Sequence, residues 1–302
     1  MAEGLDLTRD FNYFQSIWEA KKNGEFKHTA KVWDSRADDW EKELAKDGSF
    51  RKSLDERVKK VTEYLQAHQL LQAGSEVLDI GCGPGRFVAE FAKTCGHVTG
   101  IDLSGRMLEV GADYARECGL HNVTFMAGDF GEFDLAELGW EGKFDLVFTS
   151  ITPAVGTVET LAKAMKISRG YCFNSCFICW EDELEKQIAG EVFHREYAPS
   201  LNSHGRGFYS LFNLLWLMGY FPETSYHLQE QLEYVDADED LARYYAKCFS
   251  DDMLADEDNI RCVHEYLKEH AGADGTILRQ YKRWYGWILW DVRTRLDRIA
   301  AI

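Results

Sequence analysis

Val77 to Phe87 reads "VLDIGCGPGRF". A short apolar run ending in three glycines at alternate positions describes a strand that enters a tight turn beside a bound ligand. Gly81, Gly83 and Gly85 carry no side chain, so the backbone there can turn sharply and let a ligand approach. The next apolar run, "HVTGID", ends in Asp102, a carboxylate placed to accept hydrogen bonds from the two hydroxyls of a ribose. The ligand expected is therefore a nucleoside derivative.

Outward from that stretch the pattern is one of alternation. "EVLDIG", "HVTGID", "NVTFMAGD", "FDLVFTS" and "YCFNSCFIC" read as strands, with helices near 85–95, 104–118 and 157–168 between them. Strands alternating with helices form βαβ units and a parallel sheet. Residues 1–70 read as helical. Trp33, Ala37, Trp40 and Leu44 share one helix face, and "SLDE" at Ser53–Glu56 reads as a capping box opening a helix striped by Leu54, Val58, Val61, Leu65 and His68. An apolar helix is expected at 208–218, an alternating strand at "TSYHLQEQLEYV", acidic helical sequence at 236–272 and a last strand at "TILRQYKRWYGWILW". "DADED" at 236–240 lacks the glycine and glutamate of a calcium loop and reads as a solvated helix start.

The nicotinamide fingerprint G-x-G-x-x-G requires glycine where this chain has Arg86. With the preceding Asp79, "DIGCGPG" instead resembles motif I of the class I S-adenosylmethionine-dependent methyltransferases. "GIDLS" at 100–104, "GDF" at 128–130 and "FDLVFTS" at 144–150 resemble the following three motifs of that family, in order, so the resemblance covers about residues 75–180. It implies S-adenosylmethionine as cofactor. It also implies an α/β, doubly wound, Rossmann-like sheet of seven strands with the last antiparallel, bearing an N-terminal helical extension and a helical insertion. In domain terms this is a helical lid at 1–70 and a core at 71–302, with the insertion at about 236–272.

Roles at the matching positions follow from the same resemblance. Gly81 and Gly83 would flank the methionine part of the cofactor, with Asp79 and Gly85 completing the motif. Asp102 would bind ribose, Leu103 and Phe130 would sandwich adenine, and Asp129 would take the adenine amino group. Thr149 and Ser150 would lie near the sulfonium. A sulfonium methyl is already activated, so the protein's task is alignment and exclusion of water.

The acceptor is less legible. Family members that methylate amides or nucleobase amines often carry a D/N-P-P-Y/F sequence after the fourth strand, where this chain has "SITPAV" at 150–155. Fifty-one acidic against 34 basic residues give a net charge of -17, which repels nucleic-acid phosphates and anionic membranes. The expected acceptor is a small molecule bound in an aromatic-lined pocket by Trp33, Trp40 and Tyr197, with His194, His204 and Tyr209 as candidate catalytic groups. The expected protein is cytoplasmic, a monomer or homodimer, and has neither nucleic-acid nor membrane partners.

Two other classes fit some of the same residues: a non-catalytic adenosyl-cofactor-binding protein, and a dinucleotide oxidoreductase. A third reading lies within the methyltransferases. Eight cysteines include Cys172, Cys176 and Cys179 at the C-x3-C-x2-C spacing of radical iron–sulfur enzymes. They fall on an expected strand and not on a loop, so no cluster is expected. A thiol or metalloid methyltransferase using these thiols remains the alternative.

Overall fold

The computed structural model describes residues 6–20, 29–31, 33–34, 36–37, 40, 48–197, 205–249 and 256–296. Seven strands form one sheet in the order β3-β2-β1-β4-β5-β7-β6, and the chain divides into two compact units. The division does not run at residue 70: one unit comprises residues 1–176, 206–226 and 286–302, the other 177–205 and 227–285.

In the first unit β1 (Glu76–Ile80), β2 (His97–Asp102), β3 (Val123–Ala127), β4 (Phe144–Ser150) and the start of β5 (Ser168–Asp182) are parallel. Register sets the site. Ile80 pairs with Ile101 and with Thr149, and Thr149 with Asn174, so Gly81, Asp102, Ser150 and Ser175 stand together at one carboxyl edge.

Helices follow from local chemistry. Asp6 caps α1 (Leu7–Glu19), the Thr157–Thr160 box caps α5 (Val158–Ile167), and Ser104 caps α4 (Gly105–Glu117). α3 (Arg86–Ala92) begins at Gly85, which is left-handed. α2 (Ser49–Ala67) buries Leu54, Val58, Val61 and Leu65 as expected, but it starts one turn before the expected box. Ser53 is inside the helix and buried, and Gly48 makes the N-cap with no side-chain bond. Leu44 and His204 lie outside the described residues. Phe148 stacks on Phe173 at 5.2 Å and packs against Phe87 and Phe91, each ring contributing roughly 2–3 kcal/mol by burial.

β7 (Thr276–Asp291) runs antiparallel to β5. Val292 N donates to Gly170 O, Cys176 faces Gly286 and Asp182 meets Arg279, so one index falls as the other rises. β6 (Glu223–Asp236) is antiparallel to β7 by the same test, Gln229 meeting Tyr285 and Gln231 meeting Tyr281. β7 is thus the one strand reversed against its neighbours.

The second unit has its own core, built by α6 (Glu183–Glu191), α8 (Glu239–Cys248) and α9 (Glu257–His270) around Ile188, Ala242, Tyr245, Ile260, Val263 and Leu267. α8 and α9 are the acidic insertion between β6 and β7, and Asp238 caps α8. Asp182 caps α6, accepts from Tyr245 Oη at 3.0 Å and pairs with Arg279 at 3.0 Å. Helix α7 (Gly205–Leu217) precedes β6.

Candidate active site

The loop after β1 is held by β2. Gly81 N and Cys82 N both donate to Ile101 O, at 2.8 and 2.9 Å, and φ is +73°, +51° and +67° at Gly81, Gly83 and Gly85. The three glycines answer to different neighbours. A Cβ on Gly81 would lie 2.0 Å from Thr152 Oγ1, and one on Gly85 would lie 2.9 Å from the Phe125 ring. Of the three, only Gly83 has nothing within 4 Å among the described residues. The open approach expected at all three is therefore confined to Gly83.

Asp102 organises the loop. Its Oδ2 accepts from Gly83 N at 2.8 Å and its Oδ1 from Ser104 N at 2.9 Å. Burial pushes its carboxyl up, while those N–H groups and that of Leu103 pull it down. Asp79 is 1% exposed, and its Oδ2 has no partner among the described residues. Burial first, and then the charge of Asp102, push its carboxyl well up. A buried carboxyl oxygen in that state calls for a proton or a bound cation. The open face at Gly83 and the unpaired oxygen of Asp79 fit a nucleoside cofactor carrying a positively charged amino acid end.

Leu103 is half-buried beside Asp102, and Asp129 is exposed, its Oδ1 accepting from Gly131 N at 2.9 Å. Phe130, expected in the adenine sandwich, is 1% exposed, with Lys163 Nζ 5.3 Å from its ring. Thr149 is buried, donating to Phe173 O at 3.0 Å and accepting from Asn174 Nδ2 at 2.9 Å. Ser150 Oγ is buried without a partner among the described residues.

The candidate acceptor residues do not gather in one unit. Trp33, half-buried 5.0 Å from the Arg36 guanidinium, Trp40 and Tyr209 belong to the first unit. Tyr209 is 54% exposed, its ring edge-on to Phe14. His194 and Tyr197 belong to the second. His194 is exposed at φ +50°, its Nδ1 3.3 Å from Gly190 O, and Tyr197 Oη accepts from Asp182 N at 3.2 Å, burial pushing that phenol up to about 12. Cys172 and Cys176 sit on one face of β5 roughly 13 Å apart by strand rise. Among the described residues no group of three or more histidines, cysteines or carboxylates is placed to hold a metal.

Three residues at this edge carried no signal in the sequence. Thr152 packs where Gly81 lacks a Cβ, and Ile151 adopts φ +51°, rare for a β-branched residue, with its N–H donating to Ser175 O at 2.8 Å. Asp34 accepts from Ser104 Oγ at 2.5 Å and so ties the N-terminal segment to the end of β2.

Residues 71–212 match the family described as "Methyltransferase domain". Among curated proteins, the chain is 29% identical over 174 residues to the ribosomal RNA large subunit methyltransferase E of Cenarchaeum symbiosum, covering 57% of this chain and 82% of that one. It is 38% identical over 80 residues to the demethylmenaquinone methyltransferase of Listeria welshimeri, covering 23% of this chain and 34% of that one. Among solved structures, magnesium protoporphyrin IX methyltransferase from Synechocystis PCC 6803 with bound SAH is 15% identical, at a TM-score of 0.48, covering 85% of this chain and 96% of that one. Residues 71–212 thus carry a methyltransferase domain.

Proposed function

We propose that the protein transfers a methyl group from S-adenosylmethionine to an oxygen, nitrogen or sulfur atom of a small molecule. The observation that carries this is the loop in which Gly83 is open and bonded to Asp102 while Asp79 waits buried for a cation. Asp102 would hold the ribose hydroxyls, Leu103 would lie along adenine, Asp129 would accept from the adenine amino group, and Asp79 would serve the amino acid end. The bound cofactor supplies a methyl group already activated on sulfur. Thr149 and Ser150 would shape the edge where the acceptor atom must be aligned. With the methyl supplied by the cofactor, an O–H or N–H acceptor would give up its proton to solvent.

The small-molecule reading is supported by the charge of -17, which opposes a nucleic-acid substrate, and by "SITPAV" in place of D/N-P-P-Y/F. The name of the Listeria relative, with a quinone precursor as acceptor, points the same way. The N-terminal segment serves as a cover at the end of β2, a role supported by the Asp34–Ser104 bond. The protein acts in the cytoplasm as a monomer or homodimer; among the described residues no helix is long and apolar enough to cross a membrane. Calorimetric titration with S-adenosylhomocysteine, followed by an acceptor screen with labelled methyl cofactor, tests the proposal. Absence of binding at millimolar ligand, or methylation of RNA in preference to every small molecule offered, overturns it.

A further inference from the structure

Ser104, within the first unit, is 0% exposed and caps α4, and its hydroxyl is fully committed. Oγ accepts from Met107 N at 3.1 Å and gives its one proton to Asp34 Oδ1 at 2.5 Å. The backbone N–H of the same residue donates to Asp102 Oδ1 at 2.9 Å, and Asp102 Oδ2 accepts from Gly83 N at 2.8 Å. Asp34, Ser104, Asp102 and Gly83 are therefore joined in one chain of hydrogen bonds, from the N-terminal segment to the glycine loop.

Asp34 is held at its end of that chain from more than one side. Its Oδ1 also lies 3.4 Å from Arg106 N, so α4 is capped by two residues: Ser104 takes the N–H of Met107, and Asp34, 70 residues before Ser104, takes that of Arg106. A carboxylate at this place is favoured by the positive end of the helix dipole. Ala37, three residues further and on the same helical side, is 1% exposed, so the segment is packed against the protein here.

Without the Asp34 carboxylate, the buried Ser104 proton loses its acceptor, and a buried donor left unmade is costly. Of the other groups bonded to Ser104, Met107 offers only a donor, which leaves the Asp102 carboxylate as the acceptor in reach. That carboxylate already takes the N–H groups of Gly83 and Ser104, and a carboxylate has about four acceptor sites. A further donor from within the protein competes with the ligand for what is left.

We infer that Asp34 is a positioning residue of the cofactor site: by taking the Ser104 hydroxyl proton it keeps Asp102 free to accept from the ribose hydroxyls. The inference rests on the methyltransferase reading above. The negative charge of Asp34 works against this, since it pushes the Asp102 carboxyl up, but it ranks behind burial and behind the N–H groups of Ser104, Gly83 and Leu103. The acceptor oxygen of Asp34, and not its charge, is what the site uses.

The test is calorimetric titration of the full-length protein with S-adenosylhomocysteine, in wild type, Asp34→Ala, Asp34→Asn, Asp102→Ala and the double variant Asp34→Ala/Asp102→Ala. Asp34 is half-buried and outside the core, so the alanine variant folds, which thermal unfolding of the same samples checks. The expected result is that Asp34→Ala weakens binding about 5- to 30-fold, as an energetic coupling between separate groups does. Asp34→Asn, which keeps an acceptor oxygen, stays within about threefold of wild type, and in the Asp102→Ala background the Asp34→Ala loss shrinks to less than about twofold. A residue that only supports the fold would cost the same in both backgrounds. An undiminished loss beside Asp102→Ala, a loss in Asp34→Asn equal to that in Asp34→Ala, or wild-type affinity in Asp34→Ala overturns the inference and leaves the cofactor site standing. Failure of the wild type itself to bind at millimolar ligand overturns the methyltransferase reading instead.

Discussion

Gly83 N donates to Asp102 Oδ2 over 2.8 Å, so one carboxylate both shapes the loop after β1 and is presented to the ligand at the end of β2. Asp102→Ala removes the acceptor from Gly83 N and Ser104 N as well as from the ribose. Hydrogen bonds to a charged group are worth about 1.5–3 kcal/mol, so S-adenosylhomocysteine affinity should fall about 10- to 100-fold. Asp102→Asn, which retains one acceptor oxygen, should fall between the two. Calorimetric titration of the three proteins checks this order.

Gly81 and Gly83 separate two meanings of a glycine. Alanine at either position meets a left-handed backbone, costing about 1–2 kcal/mol. At Gly81 the new methyl also collides with Thr152, whereas at Gly83 it enters open space. Gly81→Ala should therefore lower the unfolding temperature more than Gly83→Ala, and Thr152→Gly should recover part of the Gly81→Ala loss. Gly83→Ala should instead show its larger effect in cofactor affinity. Thermal unfolding and ligand titration of the four variants would show whether the two losses separate.

How much of this was legible beforehand depends on how local the cause is. The glycine turn, Asp102 and the sheet could be read because five- and six-residue apolar runs and positive-φ glycines are properties of neighbouring residues. The packing of Thr152 against Gly81 was not legible because Thr152 is distant in sequence and meets it only once β1 and β4 are paired. Phe130 followed the motif, but its burial beside Lys163 is a tertiary effect. The start of α2 was misplaced because Ser-Leu-Asp-Glu is as acceptable inside a helix as at its beginning, while Gly48 caps without a side chain. Asp34 and Ser104 lie 70 residues apart, and no spacing rule joins them.

Asp79 gives the cofactor site a pH signature. Its carboxyl is pushed well above the ordinary 3.8 by burial and then by Asp102, so the folded protein holds that proton more tightly than the unfolded chain. Its contribution to stability is full below about 3.8 and is lost as pH rises through the folded value. Asp79→Asn removes this loss, and its unfolding temperature relative to wild type should rise from pH 4 to pH 8. A cofactor ammonium placed beside Asp79 favours the charged carboxylate, so S-adenosylhomocysteine uptake should release a proton. Titrations in buffers of different ionisation heat detect that release, and Asp79→Asn should abolish it.

Glu185 carries a second, separate pH dependence in the other unit. Burial first, then the negative charge of Asp182, raise its carboxyl from 4.5 to about 7, against the opposing pull of Arg279. The sign is that of a raised acid: the proton is held more tightly in the folded state, so stability present below 4.5 declines as pH rises to about 7. Glu185→Gln keeps the shape and removes the titration, and the slope of unfolding free energy against pH should flatten between those limits. Because Glu185 and Asp79 belong to different compact units, the two effects should add. Denaturant unfolding of both single variants and the double variant at pH 4.5, 6 and 7.5 would measure it, and an unchanged slope in Glu185→Gln would contradict the raised acid.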